Sequence, residues 1–328
     1  ATSNDILLDA TLAYLELLNA EAQWEALRLS HADVQKLVDT TRAYAQTGQG
    51  RIGDAHRMEA EGYLVLADLQ AAEGRLAIAS ASLARYLQLD PAVRLRTPGS
   101  KMETIDLVDL DQPLAHLLLV ALRRRPELGS MSAAVGEGQI RVRQEKMRPL
   151  LPLVMIGWSG GAFGGTGNFI ANPPFTNVQA RTDFDALAMW QLQNAGMGNI
   201  ARIRGRRAEL GEAIYDRVRV ENQVREEVTS GYAAAKARRR QVAVALRRIR
   251  DAEDAFEEDY RRLLGAEALP IEVRNSVQLL VDARETLVNA FVNDARAQFE
   301  LFVALGQPPF QAAAEAGNLV DPPTVPAP

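Results

Sequence analysis

Between Asn199 and Leu264 the chain runs for 66 residues without a proline. As one α-helix, at 1.5 Å per residue, this stretch would be about 100 Å long. Helices of globular proteins are usually 10–14 residues long, and few cores are deep enough to bury one of this length. A helix like this needs other long helices beside it. Its arginines include Arg202, Arg204, Arg206 and Arg207, then Arg238, Arg239, Arg240, Arg247, Arg248 and Arg250. Glu209, Glu212, Glu226, Glu227, Asp251, Glu253 and Asp254 are interleaved with them or adjacent. That mixture predicts a solvated, salt-bridged face. A phosphate-binding stripe is the weaker reading, so no nucleic-acid partner is expected.

Companion helices are legible on both sides. Residues 5–46 read as one helix, with Leu8, Leu15, Ala22 and Leu29 recurring every seven residues and Leu18 between the second and third. This spacing predicts a coiled-coil seam. Gly48, Gly50 and Gly53 break the helix, and Asp54 stands where it would cap the next one, which is expected to end near Leu89 before Asp90-Pro91. Residues 92–110 read as an irregular connector. Helix resumes near Asp111, is interrupted at Pro126 and ends near Met147. Beyond the long helix, a tip from Gly265 to Pro270 leads into a last helix over about 271–305, closed by Gly306, Pro308 and Pro309. The Ala/Pro-rich residues 310–328 read as a disordered tail.

One segment breaks the helical pattern. Leu153 to Trp158 is apolar, and glycines crowd residues 157–167. Residues 152–164 and 181–193 are therefore expected to be paired strands. In the second strand Phe184, Ala186, Ala188, Trp190 and Leu192 share one face, and Asp183, Asp185, Gln191 and Gln193 share the other. The loop between the strands holds Asn172, Pro173 and Pro174.

Composition narrows function by exclusion. The chain has 328 residues, 47% hydrophobic and 24% charged, which suits a folded protein. It has no cysteine, which removes disulfides, thiolate metal sites and a cysteine nucleophile. His31, His56 and His116 are not at metal-ligand spacing. The glycines of 157–167 lack the Gly-Lys-Ser/Thr ending of a phosphate loop, and no nucleophile elbow occurs. Neither an enzyme nor a cofactor is expected. No run of about 18 apolar residues is present, so a membrane role would need a β-barrel.

The two helical hairpins correspond. Tyr14 and Tyr232 lie 218 residues apart, Gly48 and Gly265 217, Asp54 and Glu272 218, and Leu89 and Leu305 216. Near-constant offsets suggest a duplicated unit. In the second unit a helix and a β-hairpin come before the long helices, so the expectation is that either the first unit's counterparts precede Ala1 or the protein has lost them and the barrel with them. The chain divides into a first helical hairpin (1–91), a connector with helices (92–148), a β-hairpin (149–198), a second helical hairpin (199–309) and the tail.

Taken together, these stretches resemble the TolC-like outer membrane efflux protein family. The resemblance is carried by Tyr14-Leu15-Glu16-Leu17-Leu18, Gly48 through Asp54 with Ala60, and Arg125-Pro126-Glu127-Leu128. Trp190 with Asn194-Ala195-Gly196-Met197-Gly198-Asn199, and Gln298 through Gly306, complete it. It implies a mainly α fold of long antiparallel hairpins, with the β-hairpin contributing to a barrel shared by a homotrimer in the outer membrane. It also implies a large periplasmic helical part. The tips, Gly48, Gly50, Gly53 and Asp54 in one hairpin and Gly265, Pro270 and Glu272 in the other, would dock a periplasmic adaptor working with an inner-membrane pump, for efflux or type I secretion. Leu269-Pro270-Ile271 departs from the glycine-rich pattern of the first tip. Trp158 and Trp190 would lie at the lipid interface. Three copies of one hairpin make six strands, fewer than the eight of the smallest outer-membrane barrels, whereas two hairpins per chain would make twelve. A soluble coiled-coil scaffold presenting the same tips is the alternative, and a nucleic-acid-binding helical protein ranks third.

Overall fold

The computed structural model describes residues 2–97, 102–164, 178–191, 196–265 and 267–307. Six helices and two strands follow one another: α1 (Thr2–Thr47), α2 (Ile52–Tyr86), α3 (Leu114–Arg124), α4 (Pro126–Met147), β1 (Leu153–Gly164), β2 (Val178–Met189), α5 (Met197–Leu264) and α6 (Pro270–Ala304). The chain divides into two compact units, one of residues 1–126 with 222–328 and one of residues 127–221.

In the first unit α1, α2, α6 and the later part of α5 share a core. Val34, Leu37 and Val38 of α1 meet Met58 and Val65 of α2, Ile249, Phe256 and Leu263 of α5, and Val273, Val277 and Leu280 of α6. Small residues such as Ala252 and Ala283 are fully enclosed in this core, which lets the helices approach closely. The seven-residue repeat expected in α1 is present, but in another phase. Ala20, Leu27, Val34 and Thr41 are buried, whereas Leu29 is 47% exposed. Leu15 is nevertheless buried, because α1 packs against both α2 and α6 and so buries more than one stripe.

α2 has a second stripe. Ala60, Leu64, Ala67, Ala71, Gly74 and Ile78 recur at spacings of four and three and are all exposed. No charge falls on this line, although a solvent-facing helix normally carries its charges there.

α2 and α6 are both 35 residues long and start 218 residues apart. They end alike. Gln88 and Gly306, also 218 apart, both adopt positive φ, at 56° and 79°. Leu89 N–H donates to Ala84 and Gln307 N–H to Phe302, which satisfies terminal carbonyls by a left-handed cap. The end expected at Leu89 therefore falls at Tyr86, because the chain turns left-handed at Gln88 before Pro91 is reached.

The connector is pinned to the helices by side chains. Ser80 Oγ accepts from Leu95 N–H, and Glu21 accepts from Thr97 N–H at 2.9 Å. Further on, Gln298 accepts from Val108 N–H, and the Tyr232 hydroxyl donates to the carbonyls of Leu110 and Gln112. Arg239 reaches the Ile105 carbonyl, Asp106 and the fully buried Asp294. Helix resumes at Leu114 rather than Asp111, with Pro113 as its N-cap.

In the second unit α4 runs beside the start of α5 and leads into an antiparallel hairpin. Leu153 pairs with Met189, Trp158 with Phe184 and Gly164 with Val178. β1 falls where expected. β2 lies about three residues earlier than 181–193, because its partner is the twelve residues of β1 and pairing stops at Met189. The expected loop residues Asn172, Pro173 and Pro174 lie outside the described residues, as do Leu192, Gln193 and the 310–328 tail.

Candidate docking tips and membrane hairpin

The first tip is held by its own backbone. Gly48 has φ +77°, a conformation that costs other residues energy. Gly50 N–H donates to the Tyr44 carbonyl at 2.9 Å, and a Cβ at Gly50 would stand 3.0 Å from Tyr44 Cβ. Gly53 is different, since a Cβ there would meet nothing. The N-cap of α2 is Arg51, with no side-chain capping bond. Asp54 therefore does not cap the helix. It sits in the first turn, where negative charge suits the helix dipole, and pairs with Arg57 at 2.8 Å.

At the second tip, Gly265 N–H donates to Arg261 and Glu267 N–H to Arg262. Pro270 opens α6, a position that needs no N–H. The Glu272 carboxylate accepts from Leu269 N–H at 3.3 Å and so helps satisfy the helix start.

The tips meet across a cleft of about 460 Å³ lined by Tyr44, Gly50, Arg51 and Asp54 on one side and Leu263, Ala268, Leu269, Pro270 and Ile271 on the other. Of the residues expected from sequence, Gly50, Asp54 and Pro270 line this cleft, whereas Gly48, Gly53, Gly265 and Glu272 do not. Tyr44 was missed by the sequence reading. Its hydroxyl donates to the Leu263 and Leu264 carbonyls, both at 3.2 Å, tying the end of α1 to the end of α5. An aromatic in the last turn before a glycine tip is its only signal. Below the cleft, Arg42 binds Glu59 and thereby holds the Glu59 carboxyl below its usual range. Glu61, buried, receives Arg274 and Gln278 from α6.

The hairpin of the second unit has two unlike faces. Val154, Ile156 and Trp158 share one with Phe184, Ala186 and Ala188. The other carries Ser159, Arg181, Asp183 and Asp185 towards the far end, with Leu153, Met155, Leu187 and Met189 near the helices. The apolar face is solvent-exposed, Trp158 at 78% and Ile156 at 71%. Trp190 follows β2 on that face, at the helix end of the hairpin, while Trp158 lies five pairs further along from Leu153–Met189. Both outer edges of this two-stranded sheet are unpaired among the described residues.

Among the described residues no cluster of His, Asp or Glu could hold a metal ion, and no helix is long and apolar enough to cross a membrane.

No protein-family model matches the sequence, and neither does any curated protein. Solved structures do match. The outer membrane protein VceC of Vibrio cholerae superimposes with a TM-score of 0.72 at 16% identity, covering 92% of this chain and 70% of that one. CusC, described in connection with transmembrane channel formation, gives 0.72 at 15% identity, with 92% and 68% covered. The CmeC outer membrane channel of Campylobacter jejuni gives 0.70 at 14%, with 97% and 67% covered. The chain thus has the fold of outer-membrane channels and spans about two-thirds of their length. The resemblance read from sequence is met at the level of the fold.

Proposed function

We propose that this chain is a subunit of an outer-membrane channel that passes substrates from the periplasm to the exterior. It works with a periplasmic adaptor and an inner-membrane pump in a tripartite efflux or type I secretion system and carries out no chemistry of its own. The observation that carries the reading is the exposed, charge-free face of the hairpin. Lipid-facing residues alternate with polar lumen residues in barrel strands, and open edges must be closed by further strands before such a sheet can sit in lipid. The uncharged heptad stripe of α2 supports lateral packing against a neighbouring copy, in keeping with a homotrimer whose α-helices form a periplasmic barrel. The cleft between the tips, with Gly50, Asp54 and Pro270 in its lining, is the proposed adaptor-docking point. Trp190 is the better placed of the two tryptophans for the lipid interface, since Trp158 lies six residues, roughly 20 Å, further along the strand.

The repeat is part of the proposal. Glu21 and Arg239, Ser80 and Gln298, and Gln88 and Gly306 are pairs 218 residues apart in which both members pin the connector or end a helix. Two ancestral hairpins with one connector geometry account for this.

Fractionation of cells making the native full-length protein, followed by sizing of the detergent-extracted oligomer, tests the reading. A trimer in the outer-membrane fraction is the expected result. A soluble monomer or dimer overturns it and favours the coiled-coil scaffold.

A further inference from the structure

Residues 141–148 and 197–207, at the junction of α4 and α5 with the hairpin, carry eight Lys or Arg side chains and one carboxylate, Glu145. Glu145 is buried, and its carboxylate lies 3.3 Å from Arg148 and 3.8 Å from Arg202. Arg206 is taken up by Glu209. Arg143, Lys146, Arg204 and Arg207 are exposed and have no ion pair among the described residues.

The levels of these groups along the helices follow from the packing. Glu145 stands beside Arg202, and Gly138 faces Leu210 so closely that a Cβ would lie 3.1 Å from it. Arg204 is therefore level with about Arg143, and both lie one turn below Lys146. Arg143 to Arg148 spans roughly 8 Å of helix, which matches the headgroup layer on one side of a bilayer, about 5–8 Å. Immediately on the hairpin side come Met147, Leu150, Leu151, Met197 and Ile200, all exposed, Leu150 at 69% and Met197 at 74%. Beyond them begins the apolar face of the strands.

We infer that this cationic band is a docking surface for anionic phospholipid headgroups, resting on the channel reading above. The order is apolar strand face, apolar collar, then unpaired cations with long stems. Such side chains bury their methylenes along lipid and hold their charge at phosphate depth. Glu145 keeps Arg148 and Arg202 in place, and Arg143, Lys146 and Arg204 take the headgroups, with Arg207 one turn further from the strands.

The test uses the native full-length protein reconstituted into phosphatidylcholine vesicles containing increasing brominated phosphatidylglycerol, or brominated phosphatidylcholine as control. Quenching of tryptophan fluorescence gives the relative binding constant of the two lipids. The wild type is expected to prefer phosphatidylglycerol about five-fold, a preference that shrinks as salt rises. Arg143→Gln/Lys146→Gln/Arg204→Gln should bring the ratio close to one, while Arg143→Lys/Lys146→Arg/Arg204→Lys should keep it. Equal binding of both lipids by inserted wild type, or a glutamine variant with wild-type preference, overturns the lipid band and leaves the channel reading intact. A wild type that floats with neither vesicle overturns both. Loss of the preference on adding inorganic phosphate at constant ionic strength would assign the band to free anions. Displacement of the lipid by a short oligothymidylate at equal charge concentration would assign it to nucleic acid. Either result overturns the proposal.

Discussion

Asp294 is 0% exposed, and both of its oxygens accept from Arg239 Nε at 3.1 Å. Two unit charges about 4 Å apart interact by roughly 4 kcal/mol at an effective dielectric of 20. The Arg239 side chain is 30% exposed, and screening on that side reduces the coupling to about 2 kcal/mol. Arg239→Met leaves a buried carboxylate without its cation and should cost about 3 kcal/mol at pH 7.5. Asp294→Leu leaves Arg239 its contacts with Asp106 and Ile105 and should cost less. The double variant should be more stable than Arg239→Met alone. Burial already holds the Asp294 carboxyl above its usual range, with Arg239 opposing the shift. Removing Arg239 raises it further, so the folded state takes up a proton before the unfolded state does. The penalty in Arg239→Met should then shrink as pH falls from 7.5 through that raised value towards the ordinary aspartate range. Guanidinium unfolding followed by circular dichroism at several pH values measures all of this. A coupling below about 0.5 kcal/mol in the double-mutant cycle, with a pH-independent penalty, would refute the argument.

Four further variants are open to simple measurement. Gly306→Ala should lose about 2 kcal/mol, because Gly306 combines φ +79° with a Cβ position 3.0 Å from the Arg124–Arg125 peptide, whereas Gln88→Gly should gain about 0.5–1 kcal/mol; melting temperatures decide both. Glu61→Ala strands Arg274 and Gln278 beside a buried site and should cost about 3 kcal/mol, seen as a lower denaturation midpoint at unchanged slope. Tyr44→Phe removes the hydroxyl bonded to the Leu263 and Leu264 carbonyls and should cost about 1 kcal/mol, with faster amide exchange at Gly265, Glu267 and Ala268 as its local signature.

Helix lengths, both tips and the β-hairpin were legible in the sequence because glycine, proline and periodicity act locally. The phase of the α1 seam was not. Leu8, Leu15, Ala22 and Leu29 have the right spacing, but only three-dimensional packing decides which of several apolar stripes on a doubly packed helix is buried. The end of α2 was misplaced because Asp90-Pro91 is a strong stop signal and Gln88 gives no hint of a left-handed residue. That error also distorted one repeat offset, 216 for Leu89 and Leu305, where the helix ends themselves lie 218 apart. At the tips, Gly48 and Gly50 are needed for the reasons their type suggests, whereas Asp54 matched a cap by residue type and not by position. The connector pins were invisible because Glu21 and Arg239 look like ordinary surface charges on long helices.

The outer stripe of α2 has a consequence for handling the protein. Ala60, Leu64, Ala67, Ala71, Gly74 and Ile78 contain no ionisable group, so adjusting pH cannot make this strip repel its like. Colloidal stability of the separated chain should therefore respond weakly to pH along this face and strongly to salting-out ions such as sulfate, which strengthen apolar burial. A preparation that clears in mild detergent but not on titration would be behaving as this helix dictates.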